Sequence, residues 1–271
     1  MAYLDQTAGL WGRTMRSVAF LSRLPVAARY FDQGDEKAAD LRADVAAFPL
    51  AGVVIAAGPC LLLIVMATAG GSDLIVAGFT VLALVAVCGA LHEDGLADVA
   101  DGFGGASQRE RRLEIMKDSR VGSYGVIALC GSLLLRVAAL AAILAQHGAP
   151  AAAIALLAVA AASRAAMVWL WAELPDALDK GLAASIGKPA DGTVTFASIC
   201  GLVLFAVGGV VATGFFSTLV ALLLAVLAAR LFARLCRRMI GGVTGDTLGA
   251  CQQIVEISLL TGLALGFSVP T

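Results

Sequence analysis

Long apolar runs are the feature that most constrains how this chain can fold. About seven of them have the roughly 20 residues that a helix needs to cross a bilayer core of about 30 Å. The runs lie at about 48–69, 74–92, 122–146, 150–172, 194–213, 216–234 and 247–268. With 60% hydrophobic residues, the chain has more apolar surface than one soluble core can bury. The sequence therefore predicts an all-α, polytopic membrane helix bundle of about seven transmembrane helices, forming a single domain over residues 1–271.

The 19 basic residues are distributed as this layout requires. Six precede residue 48, five lie within 93–121, two within 173–193 and four within 230–238, whereas the turns at 70–73, 147–149 and 214–215 hold none. Because Lys and Arg concentrate in cytoplasmic loops, this alternation places the N-terminus and every polar loop on the cytoplasmic side. The net charge of −1 gives no indication of a nucleic-acid partner.

The segment before the first run, residues 7–29, has an amphipathic pattern. Leu10, Val18 and Leu21 lie near one helical face, and arginines such as Arg16 and Arg23 lie largely elsewhere. We predict an amphipathic helix that lies in the membrane interface. A solvated helix that covers the other helices fits the same pattern.

A charged island, residues 93–121, separates the second and third runs and is the predicted active-site segment. Asp94, Asp98 and Asp101 stand at i, i+4 and i+7, so they share one face of a helix. Like charges stacked in this way repel each other unless a cation offsets them, and Mg²⁺ prefers a few carboxylates together with phosphate oxygens. The pattern predicts a metal site at the membrane surface; a solvated acidic helix start is the alternative.

Two further groups flank the aspartates. His92 and Glu93 precede them at the membrane edge and are candidate general bases. A satisfied interfacial side chain is the alternative for His92. Lys117, Asp118 and Arg120 lead into the third run, where cations can hold a pyrophosphate whose other oxygens rest on the metal.

Charged residues also fall inside the apolar runs. Arg136, Arg164 and Glu256 occupy positions where an ionised group is expensive and usually faces the bundle interior. They form either a structural ion-pair link or a polar cavity for a large anionic substrate. Asp246, at the start of the last run, is a candidate metal or hydroxyl ligand. Acids, a divalent ion and anion-holding cations, without a P-loop or nucleophile-elbow motif, favour phosphoryl transfer.

Several stretches of this sequence resemble one known family, in the same order. They are FLSRLPV at 20–26, FPLAGVVI at 48–55, HEDGLADVADG at 92–102, RLEIMKDSRVGSYG at 112–125 and GGVTGDTLGACQQIVE at 241–256. These segments are similar to the motifs of the cobalamin synthases, also called adenosylcobinamide-GDP ribazoletransferases. The likeness extends along nearly the whole chain.

This resemblance implies a Mg²⁺-dependent, multi-pass enzyme of the bacterial inner membrane with its active site on the cytoplasmic face. Its substrates would be adenosylcobinamide-GDP and α-ribazole, or α-ribazole 5′-phosphate. Its products would be GMP and adenosylcobalamin, or adenosylcobalamin 5′-phosphate. This reaction would be the last step of nucleotide loop assembly in cobalamin biosynthesis. A homo-oligomer and a complex with other enzymes of the pathway are alternatives to a lone chain.

The resemblance also implies roles for particular residues. Asp94, Asp98 and Asp101 would hold Mg²⁺ against the diphosphate, and His92 or Glu93 would act as base while the 5′-hydroxyl of α-ribazole attacks the phosphorus attached to cobinamide. The expected substrate-binding residues are Lys117, Asp118, Arg120, Arg164, Arg23, Asp246 and Glu256.

Three other classes share parts of these patterns. A CDP-alcohol phosphotransferase carries DGxxA with Arg directly after the Ala, whereas this chain has DGLA followed by Asp98. An intramembrane prenyltransferase requires two Asp-rich motifs, and this chain has one strong one. A non-enzymatic transporter would line a pathway with the charges inside the runs, but transporters often show two matching halves, and no convincing internal repeat is present.

Overall fold

The computed structural model describes residues 2–31, 41–179, 181 and 185–265, with side chains from residue 9 onward. Within these residues the chain is built from helices and contains no strand. The predicted all-α class is therefore confirmed. The helices are α1 Ala2–Leu21, α2 Leu41–Asp44, α3 Phe48–Thr68, α4 Asp73–Cys88, α5 Leu91–Gly105, α6 Arg109–Ile115, α7 Ser123–Glu173, α8 Asp191–Thr213, α9 Phe215–Ile240 and α10 Gly245–Ala264.

Helix α7 folds back on itself at Gly148, whose φ of 80° and ψ of 172° are not helical. Its two halves contact α10 in opposite directions along the chain. The paired residues are Ser132–Gln253 and Gln146–Ala264 before Gly148, and Ser163–Gln252 and Ala166–Cys251 after it. The halves therefore run antiparallel and correspond to the two predicted runs at 122–146 and 150–172.

Helices α4 and α5 meet at a bend of 89°. The bend is made by Gly89 and Ala90, which have φ values of 62° and 56° in the left-handed region. An alanine in this region costs on the order of 1 kcal/mol, so the surrounding packing must hold the bend. Helix α4, which corresponds to the run predicted at 74–92, therefore ends at Cys88. The charged island follows in α5, which points in a different direction.

The apolar helices confirm the membrane character of the chain, whereas the number of spans stays a prediction. In the described part, four helices are long and apolar enough to cross a membrane, and α4 with α5 would add a fifth if the bent pair is one span. The four are Leu41–Thr68, Ser123–Glu173, Asp191–Thr213 and Phe215–Ile240. Helix α10 is not among them, since it carries polar side chains in its buried middle. Residues 266–268 of the last predicted run lie outside the described residues.

The N-terminal helix ends at Leu21, earlier than the predicted segment 7–29. Its buried face includes Ser17 and Val18. Arg16 on this helix makes a two-pronged ion pair with the buried Asp44, with both nitrogen–oxygen distances at 2.7 Å. The pair ties α1 to the start of the bundle; the interfacial position of α1 stays a prediction.

Candidate active site

Helices α5 and α10 cross in close contact because glycines lie where they meet. A Cβ atom at Gly95 would lie 2.7 Å from the carbonyl oxygen of Asp246, and one at Gly249 would lie 3.3 Å from the Cα of His92. Such an approach between helices is open to glycine and closed to larger residues. The crossing brings His92 and Asp94 next to the first turn of α10.

A cavity of about 350 Å³ opens at this crossing. Its charged and titratable lining residues come from four separate segments: His92 and Asp94 from α5, Lys117 after α6, Asp176 after α7, and Asp246 from α10. Its apolar wall includes Phe20, Phe48, Met167 and Trp171. A cavity with a large apolar wall and a few convergent polar groups has the character of a ligand site.

Several polar atoms of this cavity lack a protein partner. His92 is 1% exposed, and its Nε2 atom has no hydrogen-bond partner among the described residues. The buried Oδ1 atom of Asp176 has none there either. Asp94 makes no ion pair within the same part of the chain. Because buried polar atoms are nearly always satisfied in folded proteins, the two buried atoms indicate a place for a substrate or an ion. Asp94 is exposed, so the same ligand can reach its carboxylate.

Carboxylates crowd this edge of α5, and within the described residues Asp94, Asp98 and Asp246 have no ion-pair partner. Partial burial, followed by the charges of Asp94, Asp246 and Asp101, raises the pKa of Asp98 to about 7. Burial, together with the charge of Asp94, also raises the pKa of Asp246, against the lowering effect of a hydrogen bond from Thr244. The cluster is short of positive charge, and a divalent cation would offset the repulsion.

The carboxylates at the cavity fit Mg²⁺ when phosphate oxygens of a substrate complete the coordination shell of the ion. Within the described residues, no three His, Cys, Asp or Glu side chains converge on a ready-made metal site. Mg²⁺ often takes only one or two protein carboxylates and completes its shell with water and substrate phosphates. Asp94 and Asp246 are the carboxylates, among those predicted, that line the cavity. The predicted set of Asp94, Asp98 and Asp101 is untested and stays a prediction.

Asp101 has a different environment from Asp94. Its two carboxylate oxygens accept the backbone N–H groups of Gly122 at 2.7 Å and Gly125 at 2.9 Å. These are the residues at the start of α7, where the first backbone N–H groups have no helical partner. A Cβ atom at Gly125 would overlap the Asp101 carboxylate, so the glycine is needed there. Asp101 therefore fixes where α7 begins.

Of the predicted cations, the structure brings Lys117 to the cavity and keeps Arg120 away from it. Lys117 is exposed and lines the cavity. Arg120 pairs with Asp118, with Nη2 and Oδ2 2.7 Å apart, and the pair lines a separate pocket of about 290 Å³ next to Asp101. The hydrogen bond from Arg120 lowers the pKa of Asp118 to about 2.

Glu93 and Glu256 lie in a buried ion-pair network around Arg136. The Nη1 atom of Arg136 donates to Oε1 of Glu93 at 2.8 Å, and its Nη2 atom lies 2.8 Å from Oε1 of Glu256. Gln253 also donates to Glu93, and Gln252 donates to Glu256. The network joins α5, α7 and α10, and neither glutamate lines the cavity. It matches the structural link considered for Arg136 and Glu256; the catalytic role of Glu93 and the substrate contact of Glu256 stay predictions.

Arg164 and Arg23 flank the bend between α4 and α5. Arg164 is 1% exposed; its Nη1 atom donates to the carbonyl of Ala160 at 3.0 Å, and its Nη2 atom lies 3.5 Å from the Sγ of Cys88. Arg23 is exposed and covers Gly89, where a Cβ atom would lie 2.6 Å from its Nε atom. Neither arginine lines the cavity. Their predicted contacts with the substrate therefore stay predictions.

Sequence reasoning missed two features of the site. Arg109 and Arg112 on α6 donate to the carbonyls of Ile240 at 2.8 Å and Met239 at 2.9 Å, at the end of α9. They hold the loop that leads to Asp246, and no local pattern in the sequence shows that α6 reaches the end of α9. Asp176 was also missed; the signal was an acidic residue in the polar loop predicted on the same side as the island.

The fold and the cavity define a polytopic helical membrane protein with an acidic, ligand-sized site at the crossing of two helices. The chain matches the family described as cobalamin-5-phosphate synthase over residues 13–264, and it belongs to that family.

Curated relatives span nearly the same length. An adenosylcobinamide-GDP ribazoletransferase of Allorhizobium ampelinum is 46% identical over 250 residues, which cover 92% of this chain and 95% of the relative. The protein of that name from Sinorhizobium medicae is 47% identical over 259 residues, covering 94% and 97%. The one from Brucella ovis is 44% identical over 260 residues, covering 96% and 99%. No solved structure matches the chain.

Proposed function

We propose that the cavity at the crossing of α5 and α10 joins adenosylcobinamide-GDP to α-ribazole 5′-phosphate or α-ribazole, on the cytoplasmic face of a bacterial inner membrane. Membership of the family and the names of the relatives support the reaction. The observation that carries the assignment to this cavity is a set of groups in its wall that have no partner among the described residues: Asp94 and Asp246 have no ion pair, and Nε2 of His92 has no hydrogen bond. Two apposed carboxylates and a buried base suit the transfer of a phosphoryl group held by a metal.

Charged side chains of both signs in the cavity would bind the diphosphate. Lys117 would bind phosphate oxygens directly. Asp94 and Asp246 would hold Mg²⁺, with Asp98 one helical turn behind Asp94. When bound, the ion would neutralise charge on the diphosphate and on the departing GMP. The inward Oδ1 atom of Asp176 is available to accept a hydrogen bond from a substrate hydroxyl or N–H group.

His92 is the side chain best placed to take the proton of the acceptor. A ribose hydroxyl oxygen attacks the phosphorus that carries cobinamide, the bond from that phosphorus to the GMP oxygen breaks, and Nε2 of His92 receives the hydroxyl proton. The matched family is described as a cobalamin-5-phosphate synthase, so its acceptor carries a phosphate at the 5′ position. In that acceptor the 5′-hydroxyl, which the resemblance implied as the attacking group, is blocked, and we assign the attack to another hydroxyl of the ribose.

The test uses the full chain in lipid nanodiscs with adenosylcobinamide-GDP, α-ribazole 5′-phosphate and Mg²⁺. GMP release and the corrinoid product are followed together by chromatography. We expect both to require the acceptor and the ion, and Asp246→Asn to lower the rate at least about 100-fold. Asp73→Asn, an exposed aspartate at the start of α4, is the matched control. GMP release without acceptor, or full activity of the Asp246 variant, would overturn the assignment.

A further inference from the structure

A second concave site lies beside the second half of α7, on the side of this helix that faces away from the active-site cavity. It is a groove of about 270 Å³, and it shares no lining residue with the active-site cavity. Its floor is made mainly of small and aliphatic side chains from four helices, among them Ala162, Ala166, Leu202, Leu222, Val226 and Val255. Leu202 and Val226 are 52% and 57% exposed, so the groove opens on the outer surface of the bundle. That surface belongs to α8 and α9, which are long and apolar enough to cross a membrane.

One end of this groove is cationic, and the rest is apolar. Arg230 lines the groove, and its guanidinium carbon lies 5.0 Å from the ring centroid of Trp169. Among the described residues, no carboxylate pairs with this arginine. Arg230 is eight residues beyond Leu222 on α9, and Trp169 is seven beyond Ala162 on α7. At 1.5 Å per residue, the apolar part therefore extends about 10–12 Å from the charged end.

We propose that this groove binds an anionic phospholipid, with an acyl chain along the alanine-lined floor and the phosphate at Arg230. Tryptophan and arginine at one level are typical of the membrane–water interface, where the ring spans the apolar and polar layers. An unpaired guanidinium at that level attracts a lipid with net negative charge. A zwitterionic lipid fits the floor equally well, but its choline group competes with Arg230 for the phosphate. The charge of the groove therefore selects phosphatidylglycerol over phosphatidylcholine.

The proposal is tested by native mass spectrometry of the full chain, released from detergent after exposure to an equal mixture of phosphatidylglycerol and phosphatidylcholine. A cation at the lipid surface is worth a factor of about five in binding. We expect wild type to retain phosphatidylglycerol about fivefold over phosphatidylcholine, and Arg230→Gln to abolish that preference. Ala166→Leu fills the groove and should reduce retention of both lipids. Ser198→Leu fills it from α8 and gives a second variant if Ala166→Leu does not fold.

Arg237→Gln is the matched control, because Arg237 is exposed on the same helix and does not line the groove. It should keep the wild-type preference. Equal retention of the two lipids by wild type, or an unchanged preference in Arg230→Gln, would overturn the proposal. So would loss of the preference in Arg237→Gln to the same degree as in Arg230→Gln, because the effect would then belong to the whole basic surface. The outcome does not depend on transferase activity, so it is separate from the proposed reaction.

Discussion

Glu93 and Asp94 are neighbours in the sequence, yet they belong to opposite electrostatic environments. Glu93 is 5% exposed and its charge is offset by Arg136, whereas Asp94 faces the cavity without an ion-pair partner in the described part of the chain. Consecutive residues of a helix point about 100° apart, so one turns into the bundle and the other turns toward the cavity. The difference shows that the chain satisfies some of its acids internally and leaves others for a ligand.

The same division extends to the other acids near the site. Glu256 is offset by Arg136, and Asp101 by two backbone N–H groups, so both act within the protein. Burial, followed by the charge of Asp94, raises the pKa values of Asp98 and Asp246, and neither acid has an ion-pair partner in the described part of the chain. The acids offset internally should therefore govern stability, and those left without a cation should govern catalysis.

The largest expected effect is on stability, from removal of the buried cation. Arg136→Gln leaves Glu93 and Glu256 buried without a counter-charge, and we expect the free energy of unfolding to fall by about 3–5 kcal/mol. Chemical unfolding in nanodiscs measures the change. The triple variant that also carries Glu93→Gln and Glu256→Gln should recover most of the loss, because no net charge is then buried. If Arg136→Gln alone were as stable as wild type, the distinction between acids that stabilise the fold and acids that act in catalysis would be wrong.

The next effect is on turnover, with little change in stability. Asp94→Asn removes an unneutralised carboxylate from the cavity, so the rate of GMP release should fall at least about 100-fold. The free energy of unfolding should change by less than about 0.5 kcal/mol, because the variant breaks no ion pair. Rates and unfolding curves are measured on the same preparation. A variant that unfolds easily but turns over normally once folded would place Asp94 with the internally offset acids.

A smaller effect is expected on the KM for the donor substrate, and it distinguishes Lys117 from Arg120, for which the sequence analysis predicts the same role. Lys117→Gln should raise the KM for adenosylcobinamide-GDP about tenfold, since a charge-assisted contact to phosphate is lost. Arg120→Gln should leave the KM near that of wild type, because Arg120 is paired with Asp118 outside the cavity. Steady-state kinetics with varied donor substrate measure both. Equal increases in KM would mean that the diphosphate extends to the second pocket.

The smallest effect is expected at Asp101. Asp101→Asn weakens the contacts to the first turn of α7, and we expect a loss of about 1 kcal/mol in unfolding free energy. The Mg²⁺ concentration that gives half-maximal activity should stay as in wild type. A titration of activity against Mg²⁺ measures it. A large rise in the Mg²⁺ requirement would instead support the metal role that the sequence predicts for Asp101.

The sequence alone determined the helical class and the membrane character, and it predicted the segment that we propose carries the chemistry. These follow from local properties: run length and hydropathy select helices, and a cluster of charges between apolar runs indicates the proposed site. Motif resemblance added the family, because HEDGLADVADG and GGVTGDTLGA occur in the family's order along the chain.

The tertiary structure alone decided which of these charges meet. Asp94 and Asp246 are apposed because Gly95 lets α5 cross the start of α10, and Asp176 joins them through a loop paired with Val243. Helical periodicity placed Asp94, Asp98 and Asp101 on one face, but it could not show that the N-terminus of α7 occupies Asp101. The partners of Glu93 and Asp101 come from distant segments of the chain, and the spacing of residues along α5 carries no information about them.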